Sequence, residues 1–323
     1  MNNMAFTNIL LGQSDLRIER MIFGGNVFGW TLDEKQSFDI LDGFIDRGFN
    51  AIDTANNYSH WVKGHRGGES ETIIGNYLKA SGGRDKLVLM TKVGGKIAGA
   101  SQPNTKAEHI IEQVEGSLKR LHTDYIDLYQ THYDDPSTPV EETLRAYDKL
   151  IGQGKVRYIG ASNISSERLV ESLAFSSANG LASYISLQPE YNLFDREKFE
   201  KEYKNLTKEK QIAVIPYYSL ASGFLSGKYK DEQSFGQSVR GEGIKQRYWN
   251  DRGRAIIKAL QELADSYQVQ PSSIALHWLL LQPSIAAPIV SATKQSHMDS
   301  FSQALSLELS QEDLHVLEQA SKY

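Results

Sequence analysis

The 323-residue chain has no cysteine. That absence excludes a disulfide framework, a thiolate nucleophile and a cysteine-built metal site together, and it fits a reducing compartment. No block of lysine or arginine occurs, and the net charge is −5, which argues against a nucleic-acid or anionic-membrane surface. Long apolar runs are missing too. "SSIALHWLLL" is far too short to span a bilayer, and "MNNMAFTNILLGQSDLRIERM" lacks the basic-then-apolar pattern of a signal peptide. A soluble cytoplasmic protein with no membrane partner is expected. There is no G-x-S-x-G elbow and no H-E-x-x-H, and His60 and His65 lack a carboxylate at ligand spacing, so neither a serine hydrolase nor a metal site is expected.

What is present is a regular alternation. Short apolar strands at 20–25, 49–53, 86–92, 125–132, 156–162, 184–189, 212–218 and 284–290 alternate with helical patterns at 33–47, 69–80, 105–121, 138–152, 165–178, 195–209, 250–267 and 295–306. Asp33, Ser165 and Asp195 read as opening caps, and Gly48 and Gly154 as stops. Eight strand–helix units point to an α/β protein of the (β/α)8, or TIM-barrel, class, a single domain over residues 1–323. Residues 7–21 read as a hairpin that closes the barrel bottom, and 310–322 as an extra C-terminal helix. The stretch Ser219–Trp249 reads as a mobile flap.

In such a barrel the C-terminal strand ends share one mouth. Here they bring Asp53, Lys92, His132, Ser162 with Asn163, Gln188 and Tyr217, and the loop after the second strand adds Tyr58. A charged residue at one strand end is ordinarily a solvated loop residue. Asp, Lys and His ending three successive strands must converge on one small volume. A lysine ammonium beside a phenol would stabilise the phenolate and lower the tyrosine pKa; Asp53 would hold Lys92, and His132 would bond a carbonyl or the phenol. This suits a tyrosine general acid that protonates an oxygen as charge builds on it.

"GFNAIDTANNYSHWVKGHRGGESETIIGNYL", "LKRLHTDYIDLYQTH", "GKVRYIGASN", "LQPEYNLFDR" and "YYSLASGFLSGKY" together resemble segments of the aldo-keto reductase family, in the branch of bacterial reductases and potassium-channel β-subunits. The resemblance covers nearly the whole chain. It implies a barrel that binds NADP(H) without a Rossmann fold, a catalytic tetrad of Asp53, Tyr58, Lys92 and His132, and hydride transfer to a small aldehyde or ketone. It implies that Ser162, Asn163 and Gln188 meet the nicotinamide carboxamide and that Tyr217 stacks on the ring. Tyr218, Ser219, Leu220, Ala221 and Ser222 match the pyrophosphate segment, and Lys228 and Arg240 the flap's phosphate contacts. Gly25, Asn26 and Asp53 match contacts from the first two strands. Ser291, Thr293, Lys294 and His297 fall on the 2′-phosphate region, where Lys294 supports NADPH over NADH.

Three positions depart from the family pattern: Ser219 replaces a proline, Ser300-Phe301 replaces a Glu-Asn pair, and His297 stands where Arg or Gln is common. Trp30 and Trp61, with Tyr58 and His132, would line the carbonyl pocket, joined by His60 and Val62. The glycines of 93–101 read as shaping a substrate loop. Two other functions remain open: an NADP(H)-binding regulatory subunit, and a barrel isomerase or lyase that needs no nicotinamide. Oligomeric state is not readable from the sequence.

Overall fold

The computed structural model describes residues 8–97, 102–237 and 240–323, so part of the 93–101 loop lies outside the described residues. A short antiparallel hairpin, β1 (Ile9–Leu10) and β2 (Arg17–Ile18), precedes the barrel strands. These are β3 (Ile22–Gly24), β4 (Ala51–Asp53), β5 (Val88–Val93), β6 (Ile126–Thr131), β7 (Val156–Ser162), β8 (Tyr184–Gln188), β9 (Ala213–Val214) and β10 (Ile289–Val290). All eight pair in parallel in the order β10-β3-β4-β5-β6-β7-β8-β9. The ring closes outside the named strands: Val214 donates to the Ser284 carbonyl at 2.9 Å, Ala286 to Val214 at 2.9 Å, and Ile289 to Pro216 at 2.9 Å. The expected (β/α)8 barrel is therefore present. β9 is shorter than the 212–218 reading because Pro216 has no N–H to give the ladder.

The helices are α1 (Glu34–Asp46), α2 (Glu69–Ser81), α3 (Ala107–Leu121), α4 (Val140–Gly152), α5 (Ser166–Asn179), α6 (Glu197–Glu202), α7 (Lys204–Glu209), α8 (Gly241–Tyr248), α9 (Asp251–Tyr267), α10 (Pro271–Leu280), α11 (Asp299–Ser306) and α12 (Gln311–Ala320). Their ends follow local chemistry. Asp33 opens α1 with a capping box to Gln36, and Ser165 caps α5 through the Arg168 N–H. Gly48 and Gly154 take φ of +88° and +73° just past their helices, where a Cβ would be strained.

Asp195 caps nothing, contrary to expectation. Its carboxylate instead accepts from Asn192, Arg247 and Tyr248, and the helix behind it breaks at Tyr203 into α6 and α7. The flap is also not an open loop. It folds into two 3-10 turns and α8, with Phe224, Tyr229, Phe235 and Tyr248 buried and stacked. α10 was not anticipated as a helix; residues Ser272–Leu280 are buried on all sides, so it shows no amphipathic period.

Two apolar layers hold the barrel. One lies between sheet and helices. The other fills the barrel floor, where Leu11, Leu16 and Ile18 of the hairpin meet Ala51, Met90, Leu128 and Ile289. Gly12 permits that plug: a Cβ there would lie 2.4 Å from the Ile185 carbonyl oxygen. Strand alternation carries the interior column upward. Two residues above Ala51, Met90 and Leu128 stand Asp53, Lys92 and Gln130. The upper barrel is therefore polar where its floor is apolar.

Candidate active site

Lys92 is fully buried and donates three hydrogen bonds: to Asp53 Oδ2 at 2.6 Å, to the Thr54 carbonyl at 2.7 Å and to the Tyr58 hydroxyl at 2.8 Å. A buried ammonium is tolerable only when paired and fully hydrogen-bonded, as this one is. Asp53 Oδ1 accepts from Gln130 Nε2 at 2.9 Å and Gln188 Nε2 at 3.1 Å. The loop bearing Tyr58 turns back over β5: Asn56 donates to the Lys92 carbonyl at 3.2 Å, and the Ser59 hydroxyl to the Phe28 carbonyl at 2.7 Å. The His132 ring stands edge-on to Tyr58 with centroids 5.9 Å apart. The structure thus brings Asp53, Tyr58, Lys92 and His132 together.

Burial, then Asp53, pushes the Tyr58 phenol well above its ordinary value of 10.0. This corrects the expectation that Lys92 lowers it. Desolvation of the phenolate at this buried position, with the Asp53 carboxylate adding to it, outweighs the hydrogen bond that Lys92 donates to the phenol oxygen. Burial also lowers Lys92, with Asp53 opposing that shift. Burial, then Lys92 and His60, holds the His132 imidazole well below 6.5, so it is neutral at pH 7. Its Nδ1 and the Oδ1 of Asn57 are buried without a hydrogen-bond partner among the described residues. A Cβ on Gly95 would lie 2.8 Å from that Nδ1, so the glycine leaves room for the ring.

Above this cluster lies a cleft of about 930 Å³. Trp30, Tyr58, Trp61, His60 and His132 line it as one cluster of rings. Asn26, Ser162, Asn163, Gln188, Tyr217, Tyr218, Ser219, Leu220, Ser222, Lys228, Arg240 and Ser291 line it as well, with Thr293, His297, Ser300 and Phe301. Asp53 and Lys92 do not border the cleft; they back Tyr58 from beneath. Gly25 and Ala221 are buried behind it, Lys294 is exposed beside it, and Val62 is not on its wall.

Within the cleft the polar groups are already braced. Ser162 donates to the Gln188 carbonyl at 2.8 Å. Asn163 donates to the His132 carbonyl at 2.8 Å and to Ser162 Oγ at 3.0 Å, and accepts from the Tyr217 hydroxyl at 3.1 Å. Ala221, Ser222 and Gly223 have φ of +48°, +58° and +93°. Within this turn the Ala221 N–H donates to the Tyr218 carbonyl at 2.6 Å and the Gly223 N–H to the Leu220 carbonyl at 2.8 Å, and non-glycine residues hold such left-handed backbone at about 1–3 kcal/mol each. Lys228 and Arg240 supply cations on the same side, and the Arg240 guanidinium lies 4.8 Å over the Trp30 ring. A dinucleotide phosphate with a planar ring and a carboxamide fits this lining: the Lys228 and Arg240 cations for phosphate, the Tyr217 ring for stacking, and amide side chains beside it.

Sequence reasoning missed several residues here. Gln130 is fully buried and bonds Asp53; its signal was its place two residues before His132 on the same strand face. Asn57, Gln270 and Ser272 also border the cleft. They sit in or near loops, where no period announces orientation.

The sequence model of the Aldo/keto reductase family matches residues 20–322. The chain is 34% identical over 300 residues to the aldo-keto reductase YhdN of Bacillus subtilis (strain 168), across 90% of this chain and 84% of that one. It is 34% identical over 346 aligned positions to the aldo-keto reductase AFTS1 of Alternaria alternata, covering 96% and 90% of the two chains. It is also 32% identical over 297 residues to a probable voltage-gated potassium channel subunit beta of Arabidopsis thaliana, covering 89% and 88%. With its closed barrel and its Asp-Tyr-Lys-His cluster under a long cleft, this chain belongs to the aldo-keto reductase family.

Proposed function

We propose that this chain, as one catalytic domain over residues 1–323, reduces small aldehydes or ketones to alcohols with NADPH. The observation that carries the reading is the Lys92 ammonium seated between Asp53 and the Tyr58 hydroxyl, with the His132 ring edge-on to Tyr58 at 5.9 Å. Ser162, Asn163 and Gln188 would hold the nicotinamide carboxamide and Tyr217 the ring. Tyr218 to Ser222, Lys228 and Arg240 would hold the phosphates, and Ser291, Thr293, Lys294 and His297 the 2′-phosphate end. Gly25 would act through the backbone behind Asn26. NADPH, when bound, supplies the hydride to the carbonyl carbon.

Tyr58 then gives its proton to the carbonyl oxygen as charge builds there. Lys92, 2.8 Å away, offsets the charge left on the phenol oxygen, and Asp53 keeps the ammonium in place. His132 offers a neutral hydrogen bond to the same oxygen and orients the carbonyl. Trp30 and Trp61, edge to face at 5.6 Å, wall the mouth and restrict water beside the reacting groups.

General acids contribute about 10²–10⁴-fold. Tyr58→Phe is therefore expected to lower kcat/KM for an aldehyde by about 10²-fold or more, while NADPH affinity, read by fluorescence titration, changes little. Equal loss of both sinks the general-acid role. A second reading is an NADP(H)-binding regulatory subunit, supported by the likeness to the Arabidopsis protein named above and to one of that name in rice. Stopped-flow loss of nicotinamide absorbance across an aldehyde and ketone panel separates the two. Bound NADPH that no carbonyl oxidises favours the subunit.

A further inference from the structure

We infer that Gln130 is a positioning residue that makes Gln188 a pure hydrogen-bond acceptor toward the cleft, and thereby selects a carboxamide over a carboxylate on the bound pyridine ring. This rests on the cofactor reading above.

The argument starts from Asp53. Its Oδ2 meets the Lys92 ammonium, so the carboxylate accepts on both oxygens and cannot donate. Two amides compete for Oδ1, and each must turn its NH₂ toward it: Gln130 at 2.9 Å and Gln188 at 3.1 Å. That uses one N–H of Gln188. The second goes to Gln130 Oε1 at 3.0 Å. An amide has two N–H donors. Gln130 therefore takes the one donor that Asp53 leaves over, and Oε1 is what Gln188 can offer a ligand in the cleft it lines.

The barrel makes space for this arrangement. Gly160 of β7 pairs with Gln130 of β6 and Ser186 of β8. A Cβ on Gly160 would lie 3.2 Å from Gln130 Cγ and 2.4 Å from Ser186 Oγ. Gln130 has no exposed surface and does not line the cleft, so it acts there through its partners.

An acceptor-only Gln188 welcomes an amide N–H and repels a carboxylate oxygen. The test compares NADP⁺ with its nicotinic-acid analogue by quenching of intrinsic tryptophan fluorescence, in the wild type and in Gln130→Met, which keeps the volume and removes both bonds. The wild type is expected to favour the amide form by about tenfold or more, as for a polar site given a mismatched partner. Gln130→Met is expected to bring that ratio to within about threefold, because the freed Gln188 N–H can meet the carboxylate. A ratio unchanged in Gln130→Met, or both ligands weakened in equal proportion, overturns the inference and leaves Gln130 a packing residue. If Gln130→Met does not fold, the wild-type ratio decides, and a ratio near one overturns the inference. If the wild type binds neither ligand, the cofactor reading itself has failed.

Discussion

At the scale of single residues, the site is governed by one buried charge pair. Lys92 and Asp53 are 0% and 1% exposed at their side chains. Lys92→Met leaves a buried carboxylate with no counter-charge, and the expected loss is about 3–5 kcal/mol of unfolding free energy. Adding Asp53→Asn is expected to recover part of it, because an amide needs no counter-ion. Urea unfolding of the wild type, the single and the double variant checks this; a double variant no more stable than Lys92→Met would refute it. The same desolvation sets the pH response. With its value raised above 10.0, Tyr58 keeps its proton through the neutral and mildly alkaline range. The reduction profile of kcat/KM is expected to show no loss assignable to Tyr58 until pH passes the ordinary tyrosine value; a Tyr58-dependent fall centred near neutrality would contradict that. Asp53, Tyr58, Lys92 and His132 were legible because each ends a strand or follows one. The direction of the Tyr58 shift was not, since it depends first on how completely the folded barrel buries the phenol and then on how near Asp53 lies.

At the scale of elements, the informative region is the flap. The sequence between Ser219 and Trp249 looks wet and glycine-rich, yet its four buried aromatics stack on one another. α8 is tied down by Arg247, which donates to Glu190 at 2.6 Å and Asp195 at 3.0 Å, and by the Tyr248 hydroxyl on Asp195 at 3.0 Å. Arg247 is 43% exposed at its side chain, so solvent screening limits its worth to global stability to about 1 kcal/mol or less. Its expected effect is on the flap. Arg247→Ala should speed NADPH release by up to about tenfold in stopped-flow displacement, with little change in melting temperature. A lower melting temperature with an unchanged release rate would show that the tie is only structural. Asp195 illustrates why the sequence misled here: an Asp before a charged helical stretch reads as a cap, but its partners lie 52 and 53 residues away.

At the scale of the whole molecule, chemistry and stability occupy opposite ends of the barrel. The hairpin plugs the floor with Leu11, Leu16 and Ile18, while the polar column opens at the mouth. Leu16→Ala, at a site 1% exposed, is expected to cost about 2–5 kcal/mol in denaturant unfolding and to leave the KM for NADPH and for the carbonyl unchanged. A changed KM without lost stability would contradict this separation of roles. The sequence by itself determined the strand–helix alternation, the caps at Asp33 and Ser165, and which side chains end the strands, because periodicity and capping are decided by near neighbours. Only the tertiary structure decided that the barrel closes through Val214 and Ala286, that α10 is buried all round, and that Asp195 serves the flap. It alone also brought Gln130 onto Asp53 and raised the Tyr58 phenol. Those outcomes depend on burial and on partners tens of residues apart, and neither quantity is local to the chain.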